Sequence, residues 1–524
     1  MNHKLTRLAG AGMLACLLST GLGTTARAQN IIPPSFAQQG LAPTPNNMAT
    51  INAAMMECPD YGGRTLAAVV TSEINGTNLY LNYGNGAVTS GPIPVTSAGW
   101  AWADVTIGDD PVMPGNRYVV VVSYREYFSP GMYNIYIRRF IVEDLAGAMT
   151  VTPFAPAMIG LGDNPKIDNV ADPANAVGPY PGMTQFLATY NVMTGSTVGY
   201  HKANMDFTAP QVGTIPLTNG YRFMDAAAVR DLGVNGGDVF AYASVLGNSN
   251  TELRVYEKNV TTGAAATFTT LQTGLMSYYS RIEALGLRDA NSGLNDAKWA
   301  VTTSSNLRRI MLYTNLTPPY YCNPQAYFNT GSQEYPALAS GIGALGGPPA
   351  NMGNSQYTYA WGAPTMGNYY SQAIATDGTP IAPNDFHVVN NSPCVMPSDP
   401  PELIALCNSA NSGTDLFVAW NEGSRVMYKQ LDNTLAYRPT AVKDAQSFAS
   451  LTVSPNPAKD KIIIRTTEEV NGVSIVNSVG ALVSRKSIKT GETTLDISNL
   501  AAGTYFVHIS GKNGTTTKSL VVVK

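Results

Sequence analysis

Short runs of β-branched and aromatic residues alternate with turns rich in Gly, Asn, Asp and Pro along most of the chain. Runs that hold an acid or amide among apolar neighbours recur at 51–56, 103–105, 167–170, 224–229 and 282–285, with weaker copies at 336–339 and 402–406. The polar positions Asn52, Asp104, Asp168, Asp225 and Glu283 are 52, 64, 57 and 58 residues apart. A second apolar run follows each after a polar loop, as at 65–70, 118–123 and 239–244, and a third after a short turn, as at 78–83, 133–138 and 252–258. Patterning of this kind predicts strands, and a repeat of this length predicts a propeller or array. Seven copies predict an all-β chain with a seven-bladed β-propeller over 45–440, because stacked sheets closed into a ring bury faces that one sheet leaves exposed. Six blades plus an N-terminal strand pair, or two stacked β-sandwiches, are the alternatives. Residues 29–44 read as an N-terminal extension and 441–450 as a linker.

The last segment, 451–524, has its own pattern. Short β-branched runs are broken by Asn-Gly, Thr-Gly and Ala-Gly turns, which predicts a small immunoglobulin-like β-sandwich. It opens on Ser454-Pro455-Asn456-Pro457. Gly480 follows a strand-like run, Leu500, Gly503 and Tyr505 stand in Asn-Leu-Ala-Ala-Gly-Thr-Tyr-Phe-Val, and Lys518 precedes the terminal run Leu-Val-Val-Val. This segment resembles the type A C-terminal sorting domain of the type IX secretion system. The resemblance implies a partner in that secretion machinery. It also implies removal of the segment after export, and a protein secreted or held on the outer-membrane surface of a Gram-negative bacterium.

The other end agrees. Lys4 and Arg7 precede a mostly apolar stretch at 8–22, and Ala26-Arg27-Ala28 supplies small residues for cleavage after Ala28. That is a signal peptide over 1–28. No later segment has 18 consecutive apolar residues, so no transmembrane helix is expected.

Loss of Lys4, Arg7 and Arg27 takes the formal charge from −3 to −6, and only 13% of residues are charged. Such a chain offers no basic patch for phosphates, which argues against nucleic acid. Cys58, Cys322, Cys394 and Cys407 remain after cleavage, an even number in an oxidising compartment. Cys58 and Cys407 end equivalent strands of the first and last blades, so ring closure predicts a Cys58–Cys407 disulfide, with Cys322–Cys394 as the second pair. A local Cys394–Cys407 pairing is the alternative.

Candidate chemistry centres on the repeated polar position. In a propeller the first strand of each blade is innermost, which sets Asn52, Asp104, Asp168, Asp225, Glu283 and Glu402 near the channel mouth. Such a ring suits a hard cation such as calcium, or a polyhydroxyl or cationic ligand. The other reading has each carboxylate capping its own connecting loop. The Asp- and Gly-rich loops 231–238 and 289–296 lack EF-hand spacing. No Cys-x-x-Cys, Gly-x-Ser-x-Gly or His-Glu-x-x-His motif is present, and His201 and His387 are the only histidines between the two terminal segments. No catalytic residue is assigned and no cofactor other than calcium is expected. Tyr127, Phe128, Tyr180, Tyr320, Tyr321 and Tyr370 are of the type that stacks on sugars. Three function classes follow: a non-catalytic surface propeller binding a glycan or protein, a propeller polysaccharide hydrolase, and an accessory part of a surface assembly.

Overall fold

The computed structural model describes most of residues 50–272 and 452–524, the strands between 277 and 432, and two short segments at 30–31 and 39–43. The signal peptide, including Ala28, lies outside the described residues, as do the linker 441–450 and Cys322, Cys394, Glu402 and Gly480. Every regular element among the described residues is a strand. The chain divides into two compact units, Met1–Arg438 and Pro439–Lys524.

In the first unit one topology repeats. Thr50–Cys58, Arg64–Glu73, Gly76–Tyr83 and Val88–Thr96 pair antiparallel in chain order. Asp104–Asp109, Tyr118–Ser129 and Met132–Glu143 begin the same pattern. The 21-residue strand Ala157–Val177 then serves twice. Its start pairs with Met132–Glu143, and its remainder pairs with Tyr180–Val192 to begin the next sheet, continued by Thr197–Asn204 and Gln211–Pro216. Tyr221–Asp231, Asp238–Gly247, Glu252–Asn259 and Thr267–Gln272 follow. Later sheets start at Ser277–Ala284, Glu334–Gly341 and Ile404–Asn408. Each of these first strands lies beside the first strands before and after it, and the cycle returns from Ile404–Asn408 to Thr50–Cys58.

The N-terminal segment, read from sequence as an extension outside the ring, takes part in it. Gln39–Pro43 pairs antiparallel with Arg425–Asp432 in the last sheet, and Asn30–Ile31 pairs parallel with His387–Val388. A strand from one end of the chain thus completes a sheet built from the far end of the same unit. This leaves one fewer open edge for other chains to pair with.

Burial on both faces explains the apolar runs. In Tyr118–Ser129, Tyr118, Val120, Val122 and Tyr124 pack towards the first sheet, and Val119 and Val121 pack towards the third. A strand covered on both sides has no solvent face, so its sequence loses the in–out alternation. Full burial of each such Val stabilises by about 1.5–3 kcal/mol.

The same alternation overturns the predicted ring-closing disulfide. Along Thr50–Cys58, Ala54, Met56 and Cys58 face the second sheet, whereas Ile51 and Met55 face the last. Cys407 packs with Ile51 and Met55. The two thiols therefore lie on opposite sides of one strand, and both are free. Burial pushes both thiols well above their ordinary range, with the nearby Glu283 carboxylate adding to the effect at Cys407.

The second unit has two sheets. One holds Thr452–Ser454, Lys461–Thr466 and Gly491–Asp496; the other holds Leu482–Lys486, Val470–Asn477, Gly503–Gly511 and Gly514–Val522. Ile462, Ile464, Leu495, Val473, Ile475, Val507 and Leu520 from both sheets form one core. Pro455-Asn456-Pro457 is where the start of the unit meets its last strand. Val521 N donates to Asn456 Oδ1 at 2.8 Å, and Ala458 N to Val521 O at 2.8 Å. Leu500 packs on the core, Tyr505 OH donates to Ala501 O at 3.0 Å, Gly503 begins its strand, and Lys518 is exposed.

Native protein treated with a thiol-alkylating reagent is expected to leave Cys58 unlabelled until denaturant is added. Peptide mapping under non-reducing conditions is expected to yield no Cys58–Cys407 peptide; recovery of that peptide would refute the opposed-face packing.

Candidate functional site

The first strand of each sheet is paired on one edge by its own second strand. Where no other strand pairs with it, its other edge looks into the cavity at the centre of the cycle, and its N–H groups there need acceptors. The recurrent polar residue answers this need. Ile167 N donates to Asp104 Oδ2 at 3.0 Å, Ala228 N to Asp168 Oδ2 at 2.9 Å, and Ile282 N to Asp225 Oδ2 at 3.0 Å. Asn52 makes the equivalent link in the opposite sense, Nδ2 donating to Ala103 O at 2.9 Å. Each side chain thus clasps the strand that opens the next sheet. The second carboxylate oxygen stays local: Val105 N donates to Asp104 Oδ1 and Asn169 N to Asp168 Oδ1. From sequence each acid reads as a channel ligand or as a cap on its own loop, and the link to the next sheet is in neither reading, because spacing along the chain does not reveal which strand lies alongside.

Hydrogen bonds to a charged acceptor contribute about 1.5–3 kcal/mol each. The clasps bring their own cost. The central cavity, of about 130 Å³, is lined from every first strand of the cycle and gathers Asp104, Asp168, Asp225 and Glu283. Lys166 Nζ and Arg281 Nη1 approach Asp225 Oδ1 at 3.9 and 3.8 Å. Desolvation raises the Asp168 carboxyl to about 7, opposed by its two backbone donors and assisted by Asp104 and Asp225. Glu283 is likewise raised, first by burial and then by Asp168, Asp225 and Asp104, with Arg281 pulling the other way. Among the described residues no group of three or more His, Cys, Asp or Glu is placed to hold a metal ion.

Of the aromatic candidates, Tyr127 and Phe128 are 65% and 59% exposed. The side chains of Tyr180, Tyr320, Tyr321 and Tyr370 lie outside the described residues, as does that of His387. His201 is stacked on Phe186 at 6.2 Å, and burial lowers its pKa. Loop 231–238 is described only at its ends, where Asp231 and Asp238 are buried, and loop 289–296 is not described. The sequence reading missed a set of arginines laid over aromatic rings: Arg125 on Trp102 and Tyr133, Arg139 on Phe154, and Arg254 on Tyr221 and Phe268. Only the fold pairs residues this far apart in sequence.

Residues 452–523 match the secretion system C-terminal sorting domain. The chain is 32% identical over 94 residues to karilysin of Tannerella forsythia, a match covering 16% of this chain and 20% of that protein. The chain thus spans about one fifth of that relative's length. Among solved structures, the fucose-specific lectin from Aleuria aurantia is similar at 10% identity and a TM-score of 0.40, over 76% of this chain and 96% of the other. The Dos1 propeller is similar at 9% identity and a TM-score of 0.30, over 80% of this chain and 95% of the other. The sorting domain marks a secreted or cell-surface protein of a Gram-negative bacterium, exported by the type IX route. No helix among the described residues is long and apolar enough to cross a membrane.

A carboxyl whose pKa is raised on folding binds its proton more tightly folded than unfolded. Its stabilising effect is complete below the ordinary Asp value of about 4 and is lost as pH rises through the folded value. For Asp168 that window closes near pH 7. The melting temperature is therefore expected to fall by a few degrees between pH 5 and pH 8. In Asp168→Asn the fall is expected to be shallower and the value at pH 5 lower, because one backbone donor loses its acceptor. Calorimetry across that range checks both; an unchanged slope in the variant would show that Asp168 is not the group responsible.

Proposed function

We propose that the first unit is a seven-bladed β-propeller, that the second is an immunoglobulin-like sandwich serving export, and that the exported ring is a non-catalytic module binding a glycan or a protein. The observation that carries this reading is the engagement of the channel acids. Asp104, Asp168 and Asp225 each commit one carboxylate oxygen to the backbone of the next blade, so the repeated polar position serves ring assembly. Large aromatic side chains, Tyr127 and Phe128, stand out in solvent on a protein destined for the cell exterior. Exposed aromatics of this kind mark interaction sites.

One observation favours a second reading, a polysaccharide hydrolase. Asp168 and Glu283 are held towards the protonated form beside other carboxyls. An acid next to a carboxylate is the arrangement glycoside hydrolysis uses.

The exported protein is expected to retain members of a glycan panel or of a surface-protein extract without releasing reducing sugar. Release of reducing sugar from a bound polysaccharide, abolished in Asp168→Asn or Glu283→Gln, would replace the binding reading with the hydrolase.

Truncation after Ser450 is expected to leave folded protein in the periplasm, since each unit has its own core. Fractionation and surface protease digestion check this. Normal surface display of the truncated chain would contradict the export role of 451–524.

A further inference from the structure

The face between the second and third blades ends in an unusual cluster at the rim where the first strands begin. Odd-numbered side chains of Tyr118–Ser129 point to this interface. Val119 and Val121 belong to its apolar core, and Arg125 and Tyr127 continue the same row outwards. Arg125 is 8% exposed. Its guanidinium carbon lies 4.0 Å from the ring centroid of Trp102 and 4.2 Å from that of Tyr133. Trp102 adopts φ 42°, a backbone conformation that favours glycine, and its ring lies on the arginine. Tyr127 meets Tyr133 edge to face at 6.2 Å. The carboxylate of Asp163 closes the arginine: its Oδ1 accepts from Arg125 Nη1 and, at 2.7 Å, from Asn164 N.

Two features set this cluster apart from the Arg254 stack. At the Arg254 stack the partner carboxylate, Glu252, is 25% exposed, whereas Asp163 is 42% exposed. Tyr127 also carries the aromatic surface beyond the stack into solvent, at 65% exposure against 49% for Phe268 at the Arg254 stack. A flat exposed ring beside a fixed carboxylate oxygen offers a stacking plane and a directional acceptor together. Pyranose rings present that pairing, with C–H groups on one face and hydroxyl donors at the edge. Tyr127, Tyr133 and Gly162 stand opposite one another on three adjacent strands. Asp163 is therefore roughly 10 Å from Tyr127 along the sheet, at about 4.8 Å per strand. Arg125 and Asp163 neutralise each other, so the cluster carries no net charge to attract an acidic sugar.

We propose that this rim is a saccharide subsite in which a neutral pyranose stacks on Tyr127 and donates a hydroxyl hydrogen bond to Asp163. The inference rests on the reading of the ring as a binding module and names its ligand class. The test uses the full-length protein with Tyr127→Ala, Asp163→Asn and, as a control on an exposed outer-strand residue, Val212→Ala, each checked for an unchanged melting temperature. Binding is measured by calorimetry against a panel of neutral and acidic oligosaccharides, and in a separate arm against polysaccharide extracted from the bacterial surface; the arm that binds identifies the source. The expected result is binding of neutral glycans, weakened about tenfold or more in Tyr127→Ala and Asp163→Asn, with Val212→Ala like the wild type. Glycan binding unchanged in both variants overturns this site and leaves the module reading standing. Binding confined to acidic glycans overturns the charge argument. Absence of glycan binding by the wild type overturns the saccharide assignment, and the module reading then rests on a protein ligand.

Discussion

The first unit depends on the free edge of its innermost strands. A sheet that begins at the centre of a ring has a strand edge left largely without a ladder partner, and unpaired backbone N–H groups there are costly. In the first four sheets the protein meets this with one side chain each, placed so that its polar end reaches the backbone of the next sheet. Asp104, Asp168 and Asp225 do this with nearly the same geometry, at 2.9–3.0 Å. Asn52 makes the link as a donor, because the group it meets at Ala103 is a carbonyl. Repetition of the clasp ties the sheets circumferentially and accounts for the recurrence of a polar residue in an otherwise apolar strand.

The same device sets the electrostatics of the centre. Carboxylates brought in as acceptors from successive sheets converge on one small cavity, where each disfavours ionisation of its neighbours. Lys166 and Arg281 offset part of that repulsion near Asp225. Burial first, and the neighbouring carboxylates second, drive Asp168 and Glu283 towards the protonated form. Group by group, the elevated pKa values follow from ring geometry. A perturbed carboxyl in a central cavity is therefore weak evidence for catalysis in a chain built this way.

Beyond the centre, the sheets are held by apolar cores between consecutive faces. At the rims these cores give way to arginines laid over aromatic rings. A guanidinium with its faces against rings keeps its edge donors for carboxylates, so it closes a hydrophobic interface against water without leaving a buried charge unpaired. Where such a stack ends in an exposed tyrosine and a half-open carboxylate, at Tyr127 and Asp163, the sealing device acquires the character of a site.

Local pattern alone determined that this chain is built of strands, where most of them start, and that a separate small β unit follows the repeats. These properties depend on residue type and spacing: the run from Tyr118 to Tyr124 is legible as a strand because both its faces are buried, and Ser454-Pro455-Asn456-Pro457 is legible as a motif because it is contiguous. Tertiary structure decided everything that depends on which strand lies beside which. It gave Asp168 the backbone of Ala228, 60 residues away, in place of its own loop, and it brought Gln39–Pro43 into a sheet with Arg425–Asp432. It set Cys58 and Cys407 on opposite sides of one strand, which position at equivalent strand ends does not disclose, since side-chain direction alternates with every residue. It also assembled Trp102, Arg125, Tyr133 and Asp163, residues from four segments with no common motif. Adjacency of this kind is set by ring closure and strand register, and neither is a property of any short stretch of sequence.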